Sequence, residues 1–216
     1  LGVSGMQFHY WEKLQDRIYG ASSALTPYVL EERELRVTQI DIFSRLMMDR
    51  ILWVAGPVND GMSTVVQAQL MFLDNTETKD IKLYIDSPGG SVKSGLSMID
   101  VMNFVKSDIV TINTGMAASM GSVLLGAGTK GKRFSLENSR VMLHQVSSGA
   151  QGNIQDIRIT LAEAEKYNNL LFDLLGDYCN KKPKDVMEFA SRDQWLDSDE
   201  ALKYGIIDGL VEKLEK

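Results

Sequence analysis

The chain has 216 residues, 44% hydrophobic and 24% charged, which suffices for one buried core and suits a single domain with short appendages. A net charge of -6 and an isoelectric point near 5.0 argue against nucleic-acid or anionic-membrane partners, since Lys and Arg are scattered among more numerous Asp and Glu. One cysteine, Cys179, excludes an internal disulfide framework and a multi-cysteine metal site; it reads as a thiol within a helix, in keeping with a reducing cytoplasm.

Residues 1–40 are polar and charged (Glu31, Glu32, Arg33, Glu34, Arg36) without a clear period, and read as a partly mobile N-terminal arm. Leu1 to Gly5 precede the first methionine, Met6, and read as an appendage ahead of the native start, which intact mass of native material tests. The first 23 residues carry Trp11, Glu12, Lys13, Asp16 and Arg17 in place of an apolar signal core. No apolar run approaches the roughly 18 residues a bilayer span needs. The expectation is a cytoplasmic protein, neither secreted nor spanning a membrane.

From residue 41 onward one continuous domain is expected, because neither a repeat nor a Pro-rich or Ser-rich linker interrupts it. Ile51 to Ala55 is strand-like, Met62 to Leu73 helix-like and Ile81 to Ile85 strand-like. Ser91 to Val105 carries a helical stripe of Val92, Leu96, Ile99, Met102 and Val105, and strand-like Ile109 to Asn113 follows. This β-α-β rhythm predicts a mostly parallel sheet whose chemistry sits in loops at the carboxyl ends of strands, here 86–91 and 114–121. Ser122 to Ala127 reads as a buried helix and Arg140 to His144 as a strand. The longest helix is predicted over Ile154 to Tyr178, with Ile154, Ile157, Leu161, Ala164, Leu171, Leu174 and Leu175 near one face. Short helices are expected near Asp185 to Ala190 and over Ser198 to Tyr204, the latter stopped by Gly205.

The chain has two histidines, His9 in the arm and His144 at a strand end, so imidazole chemistry falls to His144 unless that residue is structural. Ser119, in Gly115-Met-Ala-Ala-Ser119-Met-Gly121, would stand at the amino end of the buried helix, where unpaired backbone amides favour developing negative charge. It is equally readable as a helix N-cap. Position 117 is Ala, so the segment is not a G-x-S-x-G elbow, and Ser122 is a decoy three residues on. The paired glycines of Asp86-Ser-Pro-Gly-Gly90-Ser allow amides to face a ligand, or serve a tight turn. A Ser–His couple needs a carboxylate to orient the imidazole; Asp193, Asp197 and Asp199 all qualify, and spacing does not choose among them. No Walker A loop, dinucleotide-binding glycine pattern or H-E-x-x-H pair is present, so neither ATP hydrolysis nor a metal or other cofactor is expected.

Three segments in order, Tyr84-Ile-Asp-Ser-Pro-Gly-Gly90, Gly115-Met-Ala-Ala-Ser-Met-Gly121 and Met142-Leu-His-Gln145, resemble the signature segments of the ClpP family, and the similarity runs from about Ala24 to the C-terminus. It takes in Asp41-Ile-Phe-Ser-Arg-Leu46 and the stretch from Asp193 through Glu200-Ala and Tyr204-Gly-Ile-Ile-Asp208. The resemblance implies a crotonase-like α/β spiral head with a projecting helical handle near 153–178. It implies a serine endopeptidase with Ser119 as nucleophile, His144 as base and then acid, and Asp193 as the orienting carboxylate. The amides of Gly90 and Met120 would form the oxyanion hole, and no cofactor is implied.

By the same resemblance the subunits form two stacked seven-membered rings enclosing the active sites. Unfolded chains would be delivered by an ATP-driven Clp-type AAA+ unfoldase such as ClpX, ClpA or ClpC, docking near Tyr84 and Phe104; Phe104 is also readable as core. The sequence departs from the family in four places. Val146-Ser-Ser-Gly149 stands where the family has Pro and a Gly-rich stretch, the arm from Glu31 to Gln39 lacks a Gly-Glu-Arg segment, Ser191 replaces an acidic residue, and Lys82 replaces an aromatic one. Two further readings are an inactive ring scaffold and a crotonase-type acyl-CoA enzyme. The latter would use carboxylates where this chain has Ser119 and His144.

Overall fold

A computed structural model describes residues 28–33, 36–147 and 149–211, with side chains from residue 40 onward. His9 and the first 27 residues of the expected arm lie outside the described residues. Strands β1 (Tyr28–Arg33) and β2 (Arg36–Asp41) pair antiparallel in a sheet of their own. The sequence reading saw no element here because a hairpin outside the main sheet needs no strict apolar alternation. Asp41 then caps helix α1 (Ile42–Met48), its carboxylate accepting from the Ser44 amide at 3.0 Å.

The main sheet has seven strands. β3 (Ile51–Ala55), β4 (Ile81–Ser87), β5 (Ile109–Ala118), β6 (Arg133–Ser135) and β9 (Gly209–Leu210) lie side by side in that order, all parallel. Helices α2 (Asp60–Thr76) and α3 (Val92–Phe104) are the crossovers, capped by Asn59 and Ser91. In β4, Ile81, Leu83 and Ile85 are fully buried while Lys82 and Asp86 are exposed, the alternation of a strand with one face on the core.

β5 divides the sheet. Its residues 111–113 pair with β6, whereas Met116, Ala117 and Ala118 pair with β7 (Arg140–Leu143). β7 in turn pairs antiparallel with β8 (Gln194–Leu196). A register shift between Ile85 and Ser87 accompanies the division, and the Asp86 carboxylate accepts from the Met116 amide at 3.0 Å. A Cβ at Gly115 would stand 2.7 Å from Asp86 Oδ1, so a side chain there would displace the carboxylate from this bond. The segment 114–118, read from sequence as a loop, is thus a continuation of the strand.

Helix α4 (Met120–Gly126) is wholly buried and is covered by the C-terminal part of α5 (Ile154–Cys179) through Leu171, Phe172 and Leu175. Ahead of Leu171 the long helix is largely exposed; Ile154, Ile159 and Leu161 show 70%, 69% and 56% of their surface. At 1.5 Å per residue the stretch 154–170 is about 25 Å long, and its apolar stripe has no packing partner among the described residues sufficient to bury it. Asn180, in a left-handed conformation, ends α5. Helices α6 (Pro183–Phe189) and α7 (Ser198–Tyr204) follow, the latter closed by Gly205 at φ 95°. Cys179 is buried as the last residue of α5, and burial pushes its thiol up to about 11, so it is no thiolate at neutral pH. Among the described residues, no helix is long and apolar enough to cross a membrane.

Arg133 joins the far ends of these layers. Its guanidinium makes a two-pronged pair with Asp208 (Nε to Oδ2 2.8 Å, Nη2 to Oδ1 2.6 Å) and donates to the carbonyls of Tyr178 and Gly205. A cation is thereby held against the carboxyl ends of α5 and α7, where backbone carbonyls lack helical partners.

Candidate active site

Strand register brings three residues together. Ala118 of β5 pairs with Met142 of β7, and the Ser119 amide donates to the Met142 carbonyl at 3.0 Å. Ser119 and His144 therefore both stand just beyond the ends of adjacent parallel strands. Leu143 pairs with Gln194 of antiparallel β8, so continuing the register by one residue sets His144 opposite Asp193. The side chains complete the chain of contacts, with Ser119 Oγ 2.8 Å from His144 Nε2 and His144 Nδ1 3.3 Å from Asp193 Oδ1. The second contact is long, and the Asp193 side chain is 63% exposed against 25% for His144. With the carboxylate this exposed, water screens any charge interaction across the contact, which leaves the orientation of the imidazole ring as what the contact can fix.

Ser119 takes φ 53°, ψ −123°, a left-handed conformation that costs a non-glycine residue about 1–3 kcal/mol and recurs at functional turns. Its hydroxyl makes no capping bond to α4. The N-cap reading thus fails: the hydroxyl is turned away from the helix and toward His144. Ser122 Oγ instead donates to the Ser119 carbonyl at 2.6 Å, which bolts the strained turn to the helix behind it.

The Pro-Gly-Gly turn presses on Ser119 from the other side. Gly89, at φ 89°, leaves no room for a side chain, since a Cβ would lie 2.6 Å from Ser119 Cβ and 2.8 Å from the Met120 nitrogen. Gly90 bridges to Val58 in parallel register, using the Gly89 carbonyl and the Ser91 amide. In such a bridge the central residue's own amide faces away from the partner, and neither it nor the Met120 amide donates to another group among the described residues.

Of the three acidic candidates, Asp193 reaches His144, Asp197 is consumed in a capping box with Glu200, and Asp199 is exposed in the first turn of α7. Arg192, beside Ser191, is exposed. Residues 144–147 form no strand; the Val146 amide donates to Asn168 Oδ1 at 3.0 Å, a contact the sequence reading missed because it joins positions 22 apart on unrelated elements. Ser119 and His144 line a pocket together with Val146, Asn168, Leu171, Phe172 and Leu175.

Tyr84 stacks on Trp53 with ring centroids 5.0 Å apart and lines a separate cleft of about 900 Å³ with Lys82, Ile112, Phe134 and Leu210. Phe104, 77% exposed at the end of α3, is neither core nor part of that cleft's lining. Tyr84 and Phe104 therefore do not line one cleft in this chain.

The family model described as Clp protease matches residues 32–214. The chain belongs to the Clp protease family. It is 49% identical to the ATP-dependent Clp protease proteolytic subunit of Bacteroides fragilis, over 93% of this chain and 97% of that one. The proteins of the same description from Bacteroides thetaiotaomicron and Porphyromonas gingivalis are 47% and 45% identical, covering 99% and 95% of this chain and 94% and 93% of their own lengths. The Clp protease match spans the whole seven-stranded sheet, Ser119, His144 and Asp193. Its α/β fold is of the ClpP type, with the parallel sheet and the long helix α5 as its main parts.

Proposed function

We propose that the chain is the proteolytic subunit of a Clp-type protease, a serine endopeptidase in which Ser119, His144 and Asp193 form the catalytic triad. The observation that carries this reading is the 2.8 Å contact between Ser119 Oγ and His144 Nε2, made by a serine in strained backbone and by no ordinary cap. With Nδ1–H directed to Asp193, Nε2 is free to accept the hydroxyl proton. Oγ attacks the peptide carbonyl carbon; His144 takes the proton and passes it to the leaving amine as the C–N bond breaks. Water, deprotonated by His144, then releases the acyl group and restores Ser119. The amides of Gly90 and Met120 serve as the oxyanion hole, a role supported by their having no other acceptor among the described residues.

Residues 41–216 are assigned to one protease unit and those ahead of it to an N-terminal arm whose axial segment begins at about residue 24, supported by the separation of the β1–β2 hairpin from the main sheet. The exposed apolar stripe of α5 supports a subunit that assembles, because burying each isoleucine or leucine there is worth about 1.5–3 kcal/mol. Two stacked seven-membered rings satisfy that face. An ATP-driven Clp unfoldase would supply unfolded chains, docking in the cleft at Tyr84 with Phe104 contributed by the adjacent subunit. Hydrolysis of a short fluorogenic peptide, with native mass measured on the same sample, tests both levels. Activity in a particle of about fourteen subunits supports the reading, and an inactive assembled ring favours a scaffold.

Gly89→Ala is expected to lower kcat/KM by about a hundredfold, because the new methyl displaces Ser119 from its contact with His144. Gly56→Ala is the control. Gly56 has φ 79° with nothing within 4 Å of a Cβ, so it bears the backbone cost without touching the site. Equal activity in the two variants would refute this role of Gly89.

A further inference from the structure

We propose that Asn168 is a positioning residue that sets substrate selectivity, by tying the segment after His144 to helix α5. This rests on the peptidase reading above. Gln145, Val146 and Ser147 leave strand β7 and form one wall of the pocket at Ser119, while Leu171, Phe172 and Leu175 of α5 form its floor. Among the described residues, the bond from the Val146 amide to Asn168 Oδ1, 3.0 Å, is the one hydrogen bond holding that wall. Asn168 lies one turn ahead of Leu171 and Phe172, so the same stretch of α5 supplies both the floor and the tether.

The chemistry of the bond is specific. A partly buried amide needs an acceptor, and no strand partner serves Val146. A proline at 146 would have no N–H to satisfy. Val146 and the Asn168 side-chain oxygen thus form a matched pair: the valine creates a donor, and the asparagine anchors it. Loss of the anchor lets the wall move, altering the width of the pocket that takes the substrate side chain beside the cut. Large apolar side chains, which must touch wall and floor together, suffer more than small ones.

The test compares wild type, Asn168→Ala, Asn168→Asp and the double variant Asn168→Ala with Val146→Pro on two fluorogenic peptides that differ only in Leu or Ala before the scissile bond. For Asn168→Ala, kcat/KM on the Leu peptide is expected to fall about tenfold further than on the Ala peptide, the order expected for one lost bond to a buried donor. Asn168→Asp keeps the acceptor and Val146→Pro removes the donor, so either restores the preference. An unchanged ratio in Asn168→Ala, or an equal loss on both peptides that neither change repairs, overturns the proposal. Labelling of wild-type Ser119 by a small fluorophosphonate separates the two levels. Labelled protein with an unchanged peptide ratio removes only the role of Asn168, whereas absence of labelling overturns the peptidase reading and this one with it.

Discussion

Ser119→Ala is expected to reduce peptide hydrolysis by about 10⁴- to 10⁶-fold, the range seen when the nucleophile of a serine triad is removed. Folding should be untouched. Alanine meets the same left-handed backbone cost as serine, because both carry a Cβ, and the hydroxyl caps no helix. Its one hydrogen bond is to His144, whose ring stays partly exposed to water once released. The melting temperature and native mass of the variant should therefore match wild type while activity disappears. A variant that loses assembly along with activity would mean that Oγ serves packing, and one that retains activity would dismiss Ser119 as nucleophile.

The second large effect is one of stability. Arg133→Met removes a guanidinium that is 5% exposed, leaving Asp208, 18% exposed, without its counter-charge and the carbonyls of Tyr178 and Gly205 without their donor. Breaking one side of such a buried pair costs about 3–5 kcal/mol, which for a chain of this size lowers the melting temperature by roughly 6–20 °C. Acid should act through the same pair. Burial disfavours the charged Asp208 carboxylate, but hydrogen bonds and charge from Arg133 outweigh that and hold its pKa below the usual carboxylate value. The stabilisation is complete above the unfolded value of about 3.9 and is lost as pH falls through the lower folded value. Melting temperatures followed from about pH 5 down to about pH 2 should fall steeply below about pH 4 in wild type and less so in Asp208→Asn. Parallel curves would contradict the assignment.

Much of the scaffold could be read from local pattern. The run Ile51 to Ala55 bounds β3 as found, and the Ser198 to Tyr204 helix with its Gly205 stop is present with those limits. Elements of three residues or fewer, such as Arg133–Ser135 and Gln194–Leu196, are too short for any period to register. The extension of β5 over Met116 to Ala118 was hidden because small residues after a glycine look like a loop. Helix α1 did carry a signal: an aspartate, Asp41, immediately before an apolar run.

The site divides in the same way. His144 stood out by scarcity and Ser119 by its place after a strand and ahead of a buried helix, which are properties of the sequence. The selection of Asp193 over Asp197 and Asp199 depends on antiparallel register between β7 and β8, with His144 and Asp193 49 residues apart in the chain. Arg133 and Asn168 were invisible for a similar reason, since each acts on backbone groups of elements remote in the chain. The strained φ of Ser119 likewise has no local cue, because nothing about Ala-Ser-Met announces a left-handed turn; the pressure comes from Gly89 and from the pairing with Met142.

The most direct test of the central claim is to treat the purified protein with a fluorophosphonate and locate the adduct by peptide mass spectrometry. A single adduct on Ser119, formed far more slowly in His144→Ala, is the result expected of a nucleophile activated by the imidazole at 2.8 Å. No adduct, an adduct on neighbouring Ser122, or labelling indifferent to His144 would contradict it.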